Sequence, residues 1–249
     1  MMYPPRGGPF DRVIDATAAR ALDRVLIEDH GIPGIVLMEH AALGVARIAL
    51  ASTLEHGLDR VVVACGRGNN GGDGWAIARL LRDRVEVAVV STGSPREGSD
   101  AATNARIAEA LDIEVIDAAT PDAIEAATPR LEGALLVDAL LGTGLDRPLE
   151  GPLATLVERM NERATPIVAV DLPSGLDDRT GRPTGRCIRA TTTATMVAPK
   201  PGMLLPHASA WIGDLEVVDI GAPVDVVRRF TRPVEPDGSG YPDERTAES

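Results

Sequence analysis

Aromatic residues are scarce: two Trp, two Tyr and two Phe in 249 residues, 2% of the chain. A core without large rings has to be assembled from Ala, Val, Leu and Ile. Cysteine is nearly absent as well. Cys65 and Cys187 stand far apart without motif spacing, which fits a reducing cytosol better than a disulfide framework, and they read as a core residue at a strand end and a strand residue. Positive charge is in deficit, with 25 Lys and Arg against 37 Asp and Glu, a net −12 at pH 7. An acidic surface argues against nucleic acid or an anionic membrane as partner, although a local nest of backbone amides can still hold the phosphates of a small molecule. No apolar run approaches the roughly 20 residues of a bilayer span. Residues 1–10 contain no apolar h-region, so neither a membrane anchor nor a secretory leader is expected. The four histidines (His30, His40, His56 and His207) show no metal-ligand spacing and read as packing or surface residues.

What is present is a strand, a glycine-rich turn and a helix. Residues 61–65 are apolar, residues 66–74 read G-R-G-N-N-G-G-D-G, and a helix-forming run starts at Trp75. Glycines in the turn let the backbone come close to a ligand, and the helix N-terminus behind them seats an anion. Asn69, Asn70 and Asp73 add side-chain oxygens that a phosphate cradle does not need, which suits a cation or a polyol. Two helices, 16–29 and 35–55, precede this strand. From residue 60 onward strand-like runs (60–65, 85–91, 113–116, 133–138, 166–171) alternate with helical ones (74–83, 100–111, 121–128, 152–163), and two more strands are expected at 192–198 and 215–219. Apolar strands with helical crossovers mean a mostly parallel sheet covered on both faces. The expected fold is therefore α/β, a Rossmann-like three-layer sandwich with two extra N-terminal helices. One domain is expected over 12–225, with residues 1–11 a loose arm and 226–249 a disordered tail.

Ligands of such sheets bind at the carboxyl ends of the strands. Three strands end in conspicuous loops: 66–74, V-D-A-L-L-G-T-G-L-D-R-P at 137–148, and V-D-L-P-S-G-L-D at 170–177. If the strands are parallel, these loops share one rim, and Asp138 and Asp171 face the pocket that 69–73 also faces. Blander readings stand beside this one. A strand-end Asp commonly caps the next helix, Gly142 and Gly144 serve as hinges, Ser174 caps a turn, and Lys200 is a solvated loop charge. Gly66, Gly68 and Gly71 also match the dinucleotide fingerprint G-x-G-x-x-G. The second strand ends V-V-S-T-G (89–93), however, without the acidic ribose clamp, which counts against a hydride-transferring dehydrogenase. No G-K-[ST] follows the glycines, so this is no Walker A loop.

These residues resemble those of the NAD(P)H-hydrate epimerases, also called the YjeF N-terminal domain family. The nonamer 66–74, D-A-x-x-G-T-G at 138–144 and V-D-x-P-S-G at 170–175 are similar to its three signatures. G-I-P-G-I-V-L-M-E-H-A (31–41), A-P-K-P-G (198–202) and V-V-D-I-G-A-P (217–223) resemble its helix and late strands, so the likeness covers residues 15–223. His40 departs from it, standing where the family usually has Asn. The resemblance implies an isomerase that interconverts the R and S forms of NADH or NADPH hydrated at C6 of the dihydronicotinamide, so that a separate S-specific dehydratase can repair both. It implies that Asn69, Asn70, Gly71, Gly72 and Asp73, together with Gly142, Thr143, Gly144, Leu145, Asp146, Arg147 and Pro148, bind this dinucleotide. Asn70, Asp138 and Ser174 would ligate one potassium ion, and Asp171 would serve the reacting end as acid and base. Lys200 is a second catalytic candidate, as an acid or as a ligand of the 2′-phosphate or pyrophosphate. A cytoplasmic location and a homodimer through the apolar second helix complete the expectation. The competing reading is a non-catalytic nucleotide-binding or scaffolding module of the same fold, which predicts eroded loops. A two-domain enzyme with its own dehydratase is disfavoured, because too little sequence follows residue 223.

Overall fold

The computed structural model describes residues 11–144 and 147–234. A two-residue strand, β1 (Arg12–Val13), leads into α1 (Ala16–Glu28) and α2 (Gly34–Glu55). Asp15 sets the start of α1, its Oδ1 accepting from the Thr17 and Ala18 amides at 2.9 and 2.8 Å. Strands then alternate with crossovers: β2 (Arg60–Cys65), α3 (Asn69–Leu81), β3 (Glu86–Ser91), α4 (Asp100–Ala110), β4 (Glu114–Asp117), α5 (Pro121–Ala127), β5 (Leu135–Ala139), α6 (Gly151–Asn161), β6 (Ile167–Val170) and β7 (Thr192–Met196). A short α7 (Ser209–Ile212) precedes β8 (Asp214–Val218). The seven strands β2 to β8 form one sheet in the order β4-β3-β2-β5-β6-β7-β8, every neighbour parallel.

The centre of the sheet is buried on both faces because β2, β5 and β6 are apolar at nearly every position rather than at alternate ones, whereas the edge strands β4 and β8 carry charged residues and are partly exposed. Val61, Val63 and Cys65 of β2 pack with Ala42 and Val45 of α2, Trp75 and Ile77 of α3, and Ala105 of α4. Val62 and Ala64 point the other way, toward Ile124 of α5 and Leu156, Val157 and Met160 of α6.

Four sequence expectations need correction. First, α3 begins at Asn69, five residues before the expected helix start at 74, so most of the glycine-rich turn is helix. Second, the domain does not end at residue 225. Helix α8 (Val224–Phe230) joins a core of Leu22 and Leu26 from α1 with Leu37 and Ala41 from α2, burying Val226. Strand β9 (Arg232–Pro233) pairs antiparallel with β1, and Arg12 Nε donates to Thr231 Oγ1 at 2.6 Å. The rest of the expected tail, 235–249, and of the arm, 1–10, lies outside the described residues. Third, α2 has 22 residues and is long and apolar enough to cross a bilayer, contrary to the expectation that no run approaches that length. Its Leu37, Met38, Ala41, Ala42, Val45, Ala46 and Ala49 are instead buried in the protein. Fourth, Cys187 lies in a loop ahead of β7 rather than in a strand, and it is a free thiol, as is Cys65.

Candidate functional site

The chain leaves β2 toward β3 and β4, then returns to place β5, β6 and β7 on the other side. The strand order therefore reverses between β2 and β5, the position where doubly wound sheets open a crevice at their carboxyl ends. The Gly66 amide donates to Ala139 O at 3.0 Å and ties the β2 turn to the end of β5. The contact leaves no room for side chains. A Cβ on Gly66 would lie 1.8 Å from Leu140 O, and one on Gly71 would lie 1.9 Å from Gly66 O. Gly66→Ala is accordingly expected to destabilise by roughly 3 kcal/mol, a fall in Tm of about 6–12 °C by calorimetry. Gly68 caps α3 without a side-chain hydrogen bond. The amides of the first helical turn thus remain available to an anion.

Asn70, Asp138 and Ser174 come together, although they arise from α3, β5 and the loop after β6. The Ser174 amide donates to Asp138 Oδ2 at 2.8 Å, its hydroxyl donates to Oδ1 at 2.7 Å, and the Leu140 amide donates to Oδ1 at 3.2 Å. The Leu141 amide donates to Ser174 Oγ at 3.0 Å. The Asn70 side chain lies against Gly142 of the same loop, about 3.5 Å from where a Cβ would stand, and its Nδ2 is buried without a partner. Asp138 is fully buried, and burial lifts its carboxyl from the ordinary 3.8 to about 6 against the pull of the Ser174 and Leu140 hydrogen bonds. Asp138 does not cap the next helix, α6, whose cap position is Glu150; its bond from the Leu140 amide is local to the turn.

A second cluster forms around Asp171. Lys200 is 1% exposed, and its Nζ donates to Asp171 Oδ1, to Thr195 Oγ1 at 2.9 Å and to Met196 O at 3.3 Å. An ammonium has three donors, so none is left over. Lys200 therefore holds Asp171 and is not free to take a phosphate, which removes that alternative and the solvated-loop reading. Thr195 Oγ1 and the Met196 amide also donate to Asp171 Oδ1, at 3.4 and 3.2 Å, and among the described residues no donor reaches Oδ2. Asp171 (φ 65°) and Val197 (φ 67°) are in the left-handed region, a costly one for a β-branched residue. Each sits in a three-residue turn: the Leu172 amide donates to Val170 O at 2.8 Å, and the Ala198 amide to Met196 O at 2.7 Å. Two strained γ-turns at the ends of neighbouring strands thus bring the carboxylate and the ammonium together. The chain offered a stronger signal for Lys200 than its proline neighbours: it is the single Lys among 25 basic residues.

One turn of α3 joins the clusters, because Asn70 and Asp73 stand three residues apart on one helical face. Burial, then the negative charges of Asp171 and Asp23, raise the Asp73 carboxyl well above its ordinary range. Asp23 was not foreseen. It sits on α1 at the cleft's edge, where burial and the charge of Asp171 raise its own carboxyl, against a smaller lowering by Lys200. Arg20, one turn earlier, leans over Gly144, with Nη1 3.0 Å from a Cβ position there. The signal for both is that they are spaced i, i+3 away from the buried stripe of Leu22 and Leu26. Asn69 is exposed at the helix mouth, Gly72 is buried beside it, and Thr143 is half-buried in the opposite loop. Arg147 and Pro148 are exposed and lie against Thr184 and Gly185. Leu145 and Asp146 lie outside the described residues. His40 packs on Gly221 at the end of β8 and does not line this cleft.

Comparison with known proteins finds a family model described as YjeF-related protein N-terminus, matching residues 34–202. The NAD(P)H-hydrate epimerase of Pirellula staleyi is 40% identical over 217 residues, covering 86% of this chain and 94% of that protein. The bifunctional NAD(P)H-hydrate repair enzyme Nnr of Salinibacter ruber is 43% identical over 232 residues. That match takes in 87% of this chain but 42% of the relative, so the chain spans less than half of its length. The crystal structure of yeast ynu0 has the same fold, with a TM-score of 0.73 over 88% of this chain and 93% of that one at 24% identity. Helix α1, with Arg20 and Asp23, lies ahead of the stretch that the family model matches.

Proposed function

The chain belongs to the family of YjeF-related protein N-terminal domains, and on that premise we propose that it is an epimerase interconverting the R and S forms of hydrated NADH and NADPH. The names of the relatives support this reading. The observation that carries it is the meeting of Asn70–Asp138–Ser174 and Asp73–Asp171–Lys200 in one cleft at the strand ends.

The chemistry follows from the charges. The pyrophosphate takes the open amides at the α3 N-terminus. At C6 the carbon–oxygen bond breaks with its electron pair on oxygen, and the hydroxyl leaves as water after receiving a proton. The N1 lone pair makes the ring planar and cationic. Asp73, whose carboxyl is raised, holds the proton to be given. Asp171, fixed by Lys200 with Oδ2 open, faces the cation and stabilises it. Water then adds to the other face and returns the proton, so configuration inverts with no net change in composition.

Asn70, Asp138 and Ser174 fit a potassium ion, one per subunit. Their donors are oxygens, with a single carboxylate, a set that suits a large hard monovalent cation. Among the described residues no Lys or Arg pairs with buried Asp138, and Asn70 would offer the ion its side-chain oxygen. The ion would offset the charge of Asp138 and of the substrate's phosphates. In this reading an S-specific dehydratase, separate or fused, consumes the S form, the chain is cytoplasmic, and no membrane or nucleic acid takes part. The outward Val36, Leu43 and Leu54 of α2 suit a homodimer.

The test supplies the R epimer with an S-specific dehydratase, with and without this protein, in potassium and then in tetramethylammonium. Reduced nucleotide is expected to recover quickly only when the protein is present, and more slowly in the organic cation. Dinucleotide binding without faster recovery would leave the non-catalytic module.

A further inference from the structure

The strand order β4-β3-β2-β5-β6-β7 is that of a dinucleotide-binding sheet, in which the ribose next to adenine meets the end of the second strand, here β3. With the reacting end at Asp171 on β6, the adenosine half extends over β2 toward β3. That path crosses three strand spacings, about 14 Å. A dinucleotide protein selective for the unphosphorylated cofactor places a carboxylate at the end of the second strand. One that accepts the 2′-phosphate places an arginine nearby.

β3 ends in Ser91, Thr92 and Gly93, without a carboxylate. What stands there is the guanidinium of Arg67, reaching across from the β2–α3 turn. Its Nε donates to Thr92 O at 3.3 Å, and the group lies in a notch that exists because residue 93 has no side chain. A Cβ on Gly93 would lie 2.4 Å from Nε and 2.5 Å from Nη2, and Gly93 itself has φ +130°. Among the described residues no carboxylate pairs with Arg67. A held but unpaired guanidinium is a ready fork for a phosphate. Beside it a cleft of about 450 Å3 opens between Gly93, Trp75 and Arg106, within the size range of ligand pockets. Its three carboxylates, Glu97, Glu109 and Asp117, suit the hydroxyls and exocyclic amine of a nucleoside.

We propose that Arg67 is a specificity-determining residue whose guanidinium receives the 2′-phosphate of the adenosine ribose, so that the hydrate of NADPH is preferred to that of NADH. This rests on the epimerase reading and deepens it. kcat/KM for the two hydrates is measured in wild type, Arg67→Ala and Gly93→Ala. Wild type is expected to favour the phosphorylated hydrate by roughly tenfold or more. Arg67→Ala should bring the ratio near unity through KM, and Gly93→Ala should do so by displacing the guanidinium. Titration with adenosine 2′,5′-bisphosphate and with AMP should show the same discrimination, lost in Arg67→Ala. Equal kcat/KM in wild type, or a ratio unchanged by Arg67→Ala, overturns the assignment. So does an equal loss on both substrates, which would put Arg67 on the pyrophosphate. If neither hydrate turns over, the epimerase reading falls, and the titration still decides Arg67: retained discrimination supports it, equal affinity overturns it.

Discussion

Asp171→Asn is expected to lower kcat for epimerisation about 100- to 10,000-fold, the usual loss when a positioned acid–base or charge-stabilising group is removed. KM should change little, because the phosphates are held elsewhere, on the α3 amides. Asn keeps the shape and the Oδ1 contacts with Thr195 and the Met196 amide but removes the charge that faces the cationic ring. The substitution also strands Lys200, which is 1% exposed, without its counter-charge. Removing one partner of a buried pair typically costs about 3–5 kcal/mol. Tm should therefore fall as well, by about 6–20 °C for a chain of this size, and kinetics must be read well below the new midpoint. A variant with wild-type kcat would remove Asp171 from the reaction.

How much of this was legible depended on how locally each feature is encoded. Residues 60–65 and 133–138 announce strands because apolar runs bounded by polar residues have few other uses, and each of the expected runs did become a strand of the sheet. The convergence of Asp138 and Ser174 followed from parallel strands whose loops must share a rim. The start of α3 was not legible. A stretch with glycines at 71, 72 and 74 has poor helix propensity, and only packing against Gly66 and the core overrides it. Helix α8 was hidden for the opposite reason: its polar surroundings read as a tail, while its order comes from burial of Val226 and from the strand that follows it, β9, pairing with β1 more than 200 residues away. The positive φ of Val197 has no sequence mark at all, since β-branched residues avoid it, and that of Asp171 has only the weak mark that Asp tolerates it better than most. Asp23 was missed because its spacing off the buried stripe of Leu22 and Leu26 marks a second face of α1 but not what that face is laid against.

Lys200→Met and Lys200→Arg test the same pair from the other side. Methionine fills the volume but removes the three bonds that fix Asp171, Thr195 and Met196 in place. Activity at pH 7 is expected to fall at least about 100-fold. Arginine keeps the charge and should still fail. A planar guanidinium cannot reproduce three convergent bonds to Asp171, Thr195 and Met196 in a pocket with no exposed surface. The sequence supports that view, since it uses Arg at its other 24 basic positions and Lys here. Asp171→Asn/Lys200→Met separates the two roles of the pair. With neither charge buried, the double variant should be more stable than either single one by calorimetry, while its epimerisation stays as low as that of Asp171→Asn. Additive losses of stability would mean that the two side chains do not act as a unit, and the account of a carboxylate held in place by a buried lysine would fail.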